Sequence, residues 1–102
     1  MTNSKLAQSY LQKAKIRLEI LNFLFNREAW SDVVREAQEV VELALKGMLR
    51  QIGVEPPKYH DVGLFLIEYK DRFPEEIQKE LERLAEISSW LRKERELSFY
   101  GD

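Results

Sequence analysis

Apolar residues return every three or four positions along three long stretches of the chain, and nowhere do they alternate with a period of two. The first stretch predicts a helix over residues 4–26, with Ala7, Leu11, Ala14, Leu18, Leu21 and Phe25 on one stripe. Ile20 and Leu24 widen that stripe, so the C-terminal half is expected to be buried on more than one side. Lys5, Lys13, Lys15, Arg17 and Glu19 supply the wet face, and Thr2 or Asn3 suits the N-cap. A second helix is predicted over residues 29–52, striped by Val33, Ala37, Val40, Val41, Ala44, Met48 and Ile52. Gly47 inside it costs roughly 1 kcal/mol against alanine, so it either admits a close neighbour or relieves crowding. Gly53 fits the C′ position that ends the helix.

Pro56 and Pro57 set an extended linker over residues 54–59. A shorter helix follows over residues 61–70, with His60 or Asp61 as its cap. Pro74 at the first helical position, with Glu75 and Glu76 behind it, opens a fourth helix over residues 74–99. Its stripe is Ile77, Leu81, Leu84, Ile87 or Ser88, and Leu91. The expected fold class is all-α, an antiparallel up-and-down four-helix bundle occupying residues 1–102 as one domain.

Composition narrows the chemistry. The chain has 102 residues and a formal net charge of −2, so a nucleic-acid site must be a local patch and not a global field. There is no cysteine, which excludes disulfides, thiolate catalysis and Cys-based zinc sites, and a single histidine excludes the two-His metal motifs. No metal or other cofactor is expected. The longest apolar run is four residues, too short to span a membrane, and the N-terminus lacks the apolar core of a signal peptide. A cytoplasmic location is the expectation.

Three constellations carry candidate chemistry. Near the C-terminus, Arg92 and Arg95 are i, i+3 neighbours, and Arg92, Glu96 and Tyr100 form an i, i+4, i+8 line. Two guanidinium forks beside a phenol make a phosphate-sized site. The plainer alternative is an Arg92–Glu96 surface pair, with cations placed to suit a helix C-terminus. His60 beside Asp61 reads as a phosphate contact or general base, or more simply as a cap. Gln38, Glu39, Glu42 and Lys46 on the second helix form either a solvated face or an inward polar network at a helix seam. Trp30 and Trp90 lie close to apolar stripes and suit either the core or an interface.

These residues resemble a known family. Ser9-Tyr10-Leu11 followed by Lys13-Ala14 and Arg17-Leu18 is similar to the opening helix of HEPN-domain proteins. Arg35-Glu36-Ala37-Gln38, Val41-Glu42-Leu43-Ala44-Leu45-Lys46 and Pro57 with His60-Asp61-Val62 resemble that family's second helix and linker, and the segment from Leu91 to Asp102 resembles its final segment. The resemblance implies a small helical bundle, commonly a homodimer, that is an RNA-cleaving toxin or the partner of a minimal nucleotidyltransferase protein. It also implies a motif of arginine followed, after four to six intervening residues, by histidine. Here no histidine occupies the windows after Arg92 or Arg95, and Tyr100 stands in the second of them. A phenol, with an ordinary pKa of about 10, is a poor base at neutral pH. The favoured function is therefore RNA or nucleotide binding through Arg92, Arg95, Glu96, Tyr100, Asp102 and His60, in a toxin–antitoxin-type pair with a nucleotidyltransferase. The alternatives are a metal-independent RNase using Arg95 and Tyr100 as catalytic residues, and a non-catalytic dimerisation module.

Overall fold

The computed structural model describes residues 2–58 and 61–101, with side chains through residue 97. Four helices form: α1 (Asn3–Asn26), α2 (Trp30–Gln51), α3 (Val62–Glu68) and α4 (Glu75–Gly101), with a 3-10 turn at Lys70–Arg72 between the last two. Among the described residues there is no strand, and the architecture is the all-α bundle that the periodicity predicts. No helix is long and apolar enough to cross a membrane.

The helix ends follow from local chemistry. Thr2 caps α1, its hydroxyl accepting from the Lys5 N–H at 3.1 Å. α2 closes as a Schellman motif: the Gly53 N–H donates to the Arg50 carbonyl, and the Val54 N–H to the Leu49 carbonyl. Gly53 sits at φ +81°, the left-handed conformation in which glycine carries no Cβ penalty. α1 closes in the same way, with Glu28 N–H donating to Phe25 and Ala29 N–H to Leu24, but here a glutamate takes the left-handed position at φ 58°. Asp61 caps α3, its Oδ1 accepting from the Gly63 N–H at 2.9 Å. Helix α3 is shorter than the expected 61–70, because its last turn tightens into the 3-10 turn at Lys70–Arg72. Pro74 falls one place before α4 instead of at its first residue, and its carbonyl accepts from both Ile77 and Gln78.

The core is built by α2, α3 and α4. Leu45, Leu49, Val54, Val62, Leu66, Phe73 and Leu81 form one buried cluster. Where the stripe of α4 left Ile87 or Ser88 open, Ser88 is the buried one and Ile87 is exposed. Gly63 lets α3 lie so close to α4 that a Cβ there would stand 2.8 Å from the Ala85 Cα.

Helix α1 departs from expectation. It packs along α2 in antiparallel sense, tied by Arg17 to Glu36 at 3.2 Å and by Arg50 to Asn3 at 3.4 Å. Small residues make the seam: Ala7 and Ala14 are buried, and Gly47 faces Leu11 and Tyr10, resolving the glycine as a site of close approach. The C-terminal half of α1 is not buried on several sides. Ile16, Leu18, Ile20, Phe23 and Phe25 are all exposed, because one neighbouring helix can cover only one side of a helix.

Candidate functional site

Arg92 and Arg95 project from the last third of α4, one turn apart. Their spacing would allow the guanidinium groups to converge, yet each is drawn to a different neighbour. The Arg92 Nη1 lies 3.8 Å from Asp61 Oδ1, at the start of α3. The Arg95 Nη1 donates to the Gln38 Oε1 on α2 and lies 3.9 Å from Glu39 Oε2. Glu96 is not the partner of Arg92, so the expected i, i+4 pair gives way to a contact with another helix. Long cationic side chains settle beside acids already fixed in place, and Asp61 and Glu39 are fixed by a cap and a helix seam.

The two arginines are part-exposed, at 41% and 45% of their side-chain surface. Separations of 3.8 and 3.9 Å exceed the 2.7–2.9 Å of a charge-assisted hydrogen bond. Such pairs at a wet surface contribute about 0–1 kcal/mol. They orient the guanidinium groups and leave most of their five donors available. The bond to Gln38 is different in kind, because Gln38 is only 5% exposed and accepts from the arginine across the α2–α4 seam. An inward polar network on α2, one of the two readings of its polar face, is thus present at Gln38.

Asp61 acts twice, capping α3 through Gly63 and meeting Arg92. The sequence offers it as a cap or as the acid beside a phosphate contact or general base at His60, and not as a partner of Arg92, which is 31 positions away in the chain and carries no local signal. Glu39 was noticed only as part of a polar face, and its contact to Arg95 was equally invisible. His60 and Asp102 lie outside the described residues, as does the side chain of Tyr100. Glu96 is exposed. Trp30 and Trp90 are both more than half exposed, so neither belongs to the core of one chain, and Trp30 stacks edge-to-face on Phe25 with ring centroids 5.3 Å apart. Among the described residues no group of three or more His, Asp or Glu could hold a metal ion.

The family model of the HEPN domain matches residues 7–102. The chain belongs to the HEPN family. No curated relative and no solved structure matches it. The HEPN match takes in α2, α3 and α4 entire, all but the first turn of α1, and both arginines of the candidate site.

Proposed function

We propose that this HEPN protein binds the phosphate of RNA or of a nucleotide at Arg92 and Arg95, as a cytoplasmic homodimer paired with a minimal nucleotidyltransferase in a toxin–antitoxin-type system. One observation carries the binding site. Two guanidinium groups a helical turn apart are part-exposed; Arg95 donates to Gln38, but the acids beside both stand off at 3.8 and 3.9 Å and leave donors of each guanidinium for a phosphate. A phosphate offers each guanidinium a bidentate partner, which Asp61 and Glu39 do not at these distances. Binding is favoured over cleavage on chemical grounds. RNA cleavage needs a base for the 2′-hydroxyl proton, and no histidine follows either arginine at the family spacing. Tyr100 then serves as a stacking platform for a base or as an acceptor for a nucleotidyl group.

The test is fluorescence anisotropy with a labelled single-stranded RNA, and competition by ATP, across a salt series. Arg95→Ala is expected to weaken binding by roughly 1.5–3 kcal/mol, the range for charge-assisted bonds, and to flatten the salt dependence, since one phosphate contact is lost. If the Arg92→Ala, Arg95→Ala double variant binds RNA and ATP as the parent does at every salt concentration, the site assignment fails. Co-purification with a nucleotidyltransferase checks the pairing separately.

A further inference from the structure

A groove runs between α1 and α2, and one residue of its lining is the acid that Arg95 meets. Lys13, Ile16, Arg17 and Ile20 contribute from α1, and Glu39 and Leu43 from α2. The spacing explains the grouping: positions 13, 16, 17 and 20 share one face of a helix, and 39 and 43 stand one turn apart. The groove holds about 420 Å³, within the ~300–1,000 Å³ of sites that take small organic ligands. Ile16 and Ile20 are 49% and 41% exposed, and Leu43 is half-buried, so the apolar part of the lining is in contact with water.

The groove and the arginine site are contiguous. Gln38 and Glu39 are consecutive on α2, and Arg95 meets both. Gln38 is buried and accepts from the Arg95 guanidinium, whereas Glu39 lines the groove with its Oε2 3.9 Å from the Arg95 Nη1. A molecule held at Arg95 by a phosphate therefore has an apolar recess beside it, with a carboxylate at the junction.

Charge decides what suits the recess. Arg17 is tied to Glu36 at 3.2 Å, and Glu39 sets a negative charge against that of Lys13. A second phosphate gains little from so balanced a rim. A flat uncharged ring gains by taking Ile16, Ile20 and Leu43 out of water. A nucleobase is such a ring, and in every nucleotide the sugar stands between it and the phosphate. Phosphate, sugar hydroxyl and base thus follow the order of guanidinium, carboxylate and apolar surface. The pairing is also right in kind, since a hydroxyl donates and a carboxylate only accepts.

We propose that the α1–α2 groove is a nucleobase subsite. A ribonucleotide, free or as one unit of an RNA chain, puts its phosphate on Arg95, a sugar hydroxyl on Glu39 and its base against Ile16, Ile20 and Leu43. The inference rests on the phosphate site proposed above and names what lies beside the phosphate. An internal phosphate of RNA has a nucleoside on each side, so a base in the groove is compatible with another on Tyr100. The exposed isoleucines of α1 then serve recognition and not packing.

The test is competition against a labelled single-stranded RNA, read by fluorescence anisotropy, with AMP and with ribose 5-phosphate, which lacks only the base. An abasic RNA of the same length carries the comparison into the chain. AMP is expected to bind about 10-fold more tightly than ribose 5-phosphate, which is ~1.4 kcal/mol, and the RNA to exceed its abasic counterpart by at least as much. A base effect in both series assigns the subsite to nucleotides in general, and one in the RNA series alone assigns it to RNA; either supports the proposal. The Ile16→Ser, Ile20→Ser double variant changes no charge and alters only exposed positions. It should cut the base effect to about 3-fold or less and leave binding of abasic RNA as in the parent. Leu18→Ser, at a similarly exposed position of α1 outside the groove, should change neither. Circular dichroism verifies that each variant keeps its helices. No base effect in either series, with Arg95→Ala still weakening binding, overturns the subsite and leaves the phosphate site standing. A base effect that survives the double serine variant places the base elsewhere and has the same consequence. Binding of RNA and AMP that Arg95→Ala leaves untouched overturns the phosphate site and this subsite together.

Discussion

Replacing Gly63 with alanine tests how α3 is held against α4. The new Cβ would lie 2.8 Å from the Ala85 Cα, 3.1 Å from its Cβ and 3.2 Å from Asp61 Oδ1. Carbon atoms in contact prefer about 3.5–4.0 Å, so the helices must part by roughly 0.7 Å or more. The closest atom is backbone, which no rotamer change can move. The neighbours Val62 and Leu66 are fully buried, so separation opens gaps beside them. Overpacking of this kind costs about 1–3 kcal/mol. Alanine recovers at most ~1 kcal/mol of helix propensity, and less so near the first turn. A net loss of about 1–2 kcal/mol is expected. Urea denaturation followed at 222 nm, at one fixed protein concentration, should show a lower midpoint with an unchanged slope. The same shift moves Asp61 away from Arg92, so RNA affinity should hold or rise while stability falls. A variant as stable as the parent would refute the close α3–α4 approach and the placement of Asp61 that depends on it.

Gly47→Ala should behave differently. Its Cβ meets only side-chain atoms of Leu11 and Tyr10 at 3.2–3.3 Å, on a helix held by one neighbour, so a propensity gain near ~1 kcal/mol offsets the crowding and denaturation midpoints should nearly coincide. Glu28→Gly relieves the left-handed strain at φ 58° and should stabilise the protein by about 0.5–1 kcal/mol, read as a higher melting temperature. Asp61→Ala removes the cap of α3 and should cost about 0.5–2 kcal/mol, whereas Asp61→Asn keeps an acceptor for Gly63 and should retain most of that stability. Equal losses from both Asp61 variants would show that the ion pair with Arg92, and not the cap, carries the contribution.

The two helix ends closed by Schellman motifs show what a sequence reveals and what it hides. The backbone pattern is the same at both, but only Gly53 advertises it; at Glu28 the hydrogen bonds to Leu24 and Phe25 hold a residue type that gives no sign of a left-handed turn. Helix content, the Gly53 stop and the Asp61 cap were legible because each depends on neighbours within a few positions. The partners of the arginines were not. Arg95 reaches Gln38, 57 positions away, and the local convergence of Arg92 with Arg95 yields to acids that tertiary packing delivers from α2 and α3. The apolar width of α1 sits between these cases. Periodicity registered correctly that Leu11, Leu18 and Phe25 share a stripe, and it assigned the stripe to the core because most apolar stripes end there. Of that stripe Ala7 and Ala14 are buried and Leu21 half-buried, while Leu11, Leu18 and Phe25 stay exposed. Amphipathic pattern thus measures how much surface a helix must bury. What buries it is decided by how extensively its neighbours pack on it, and α2 is the helix that packs extensively on α1.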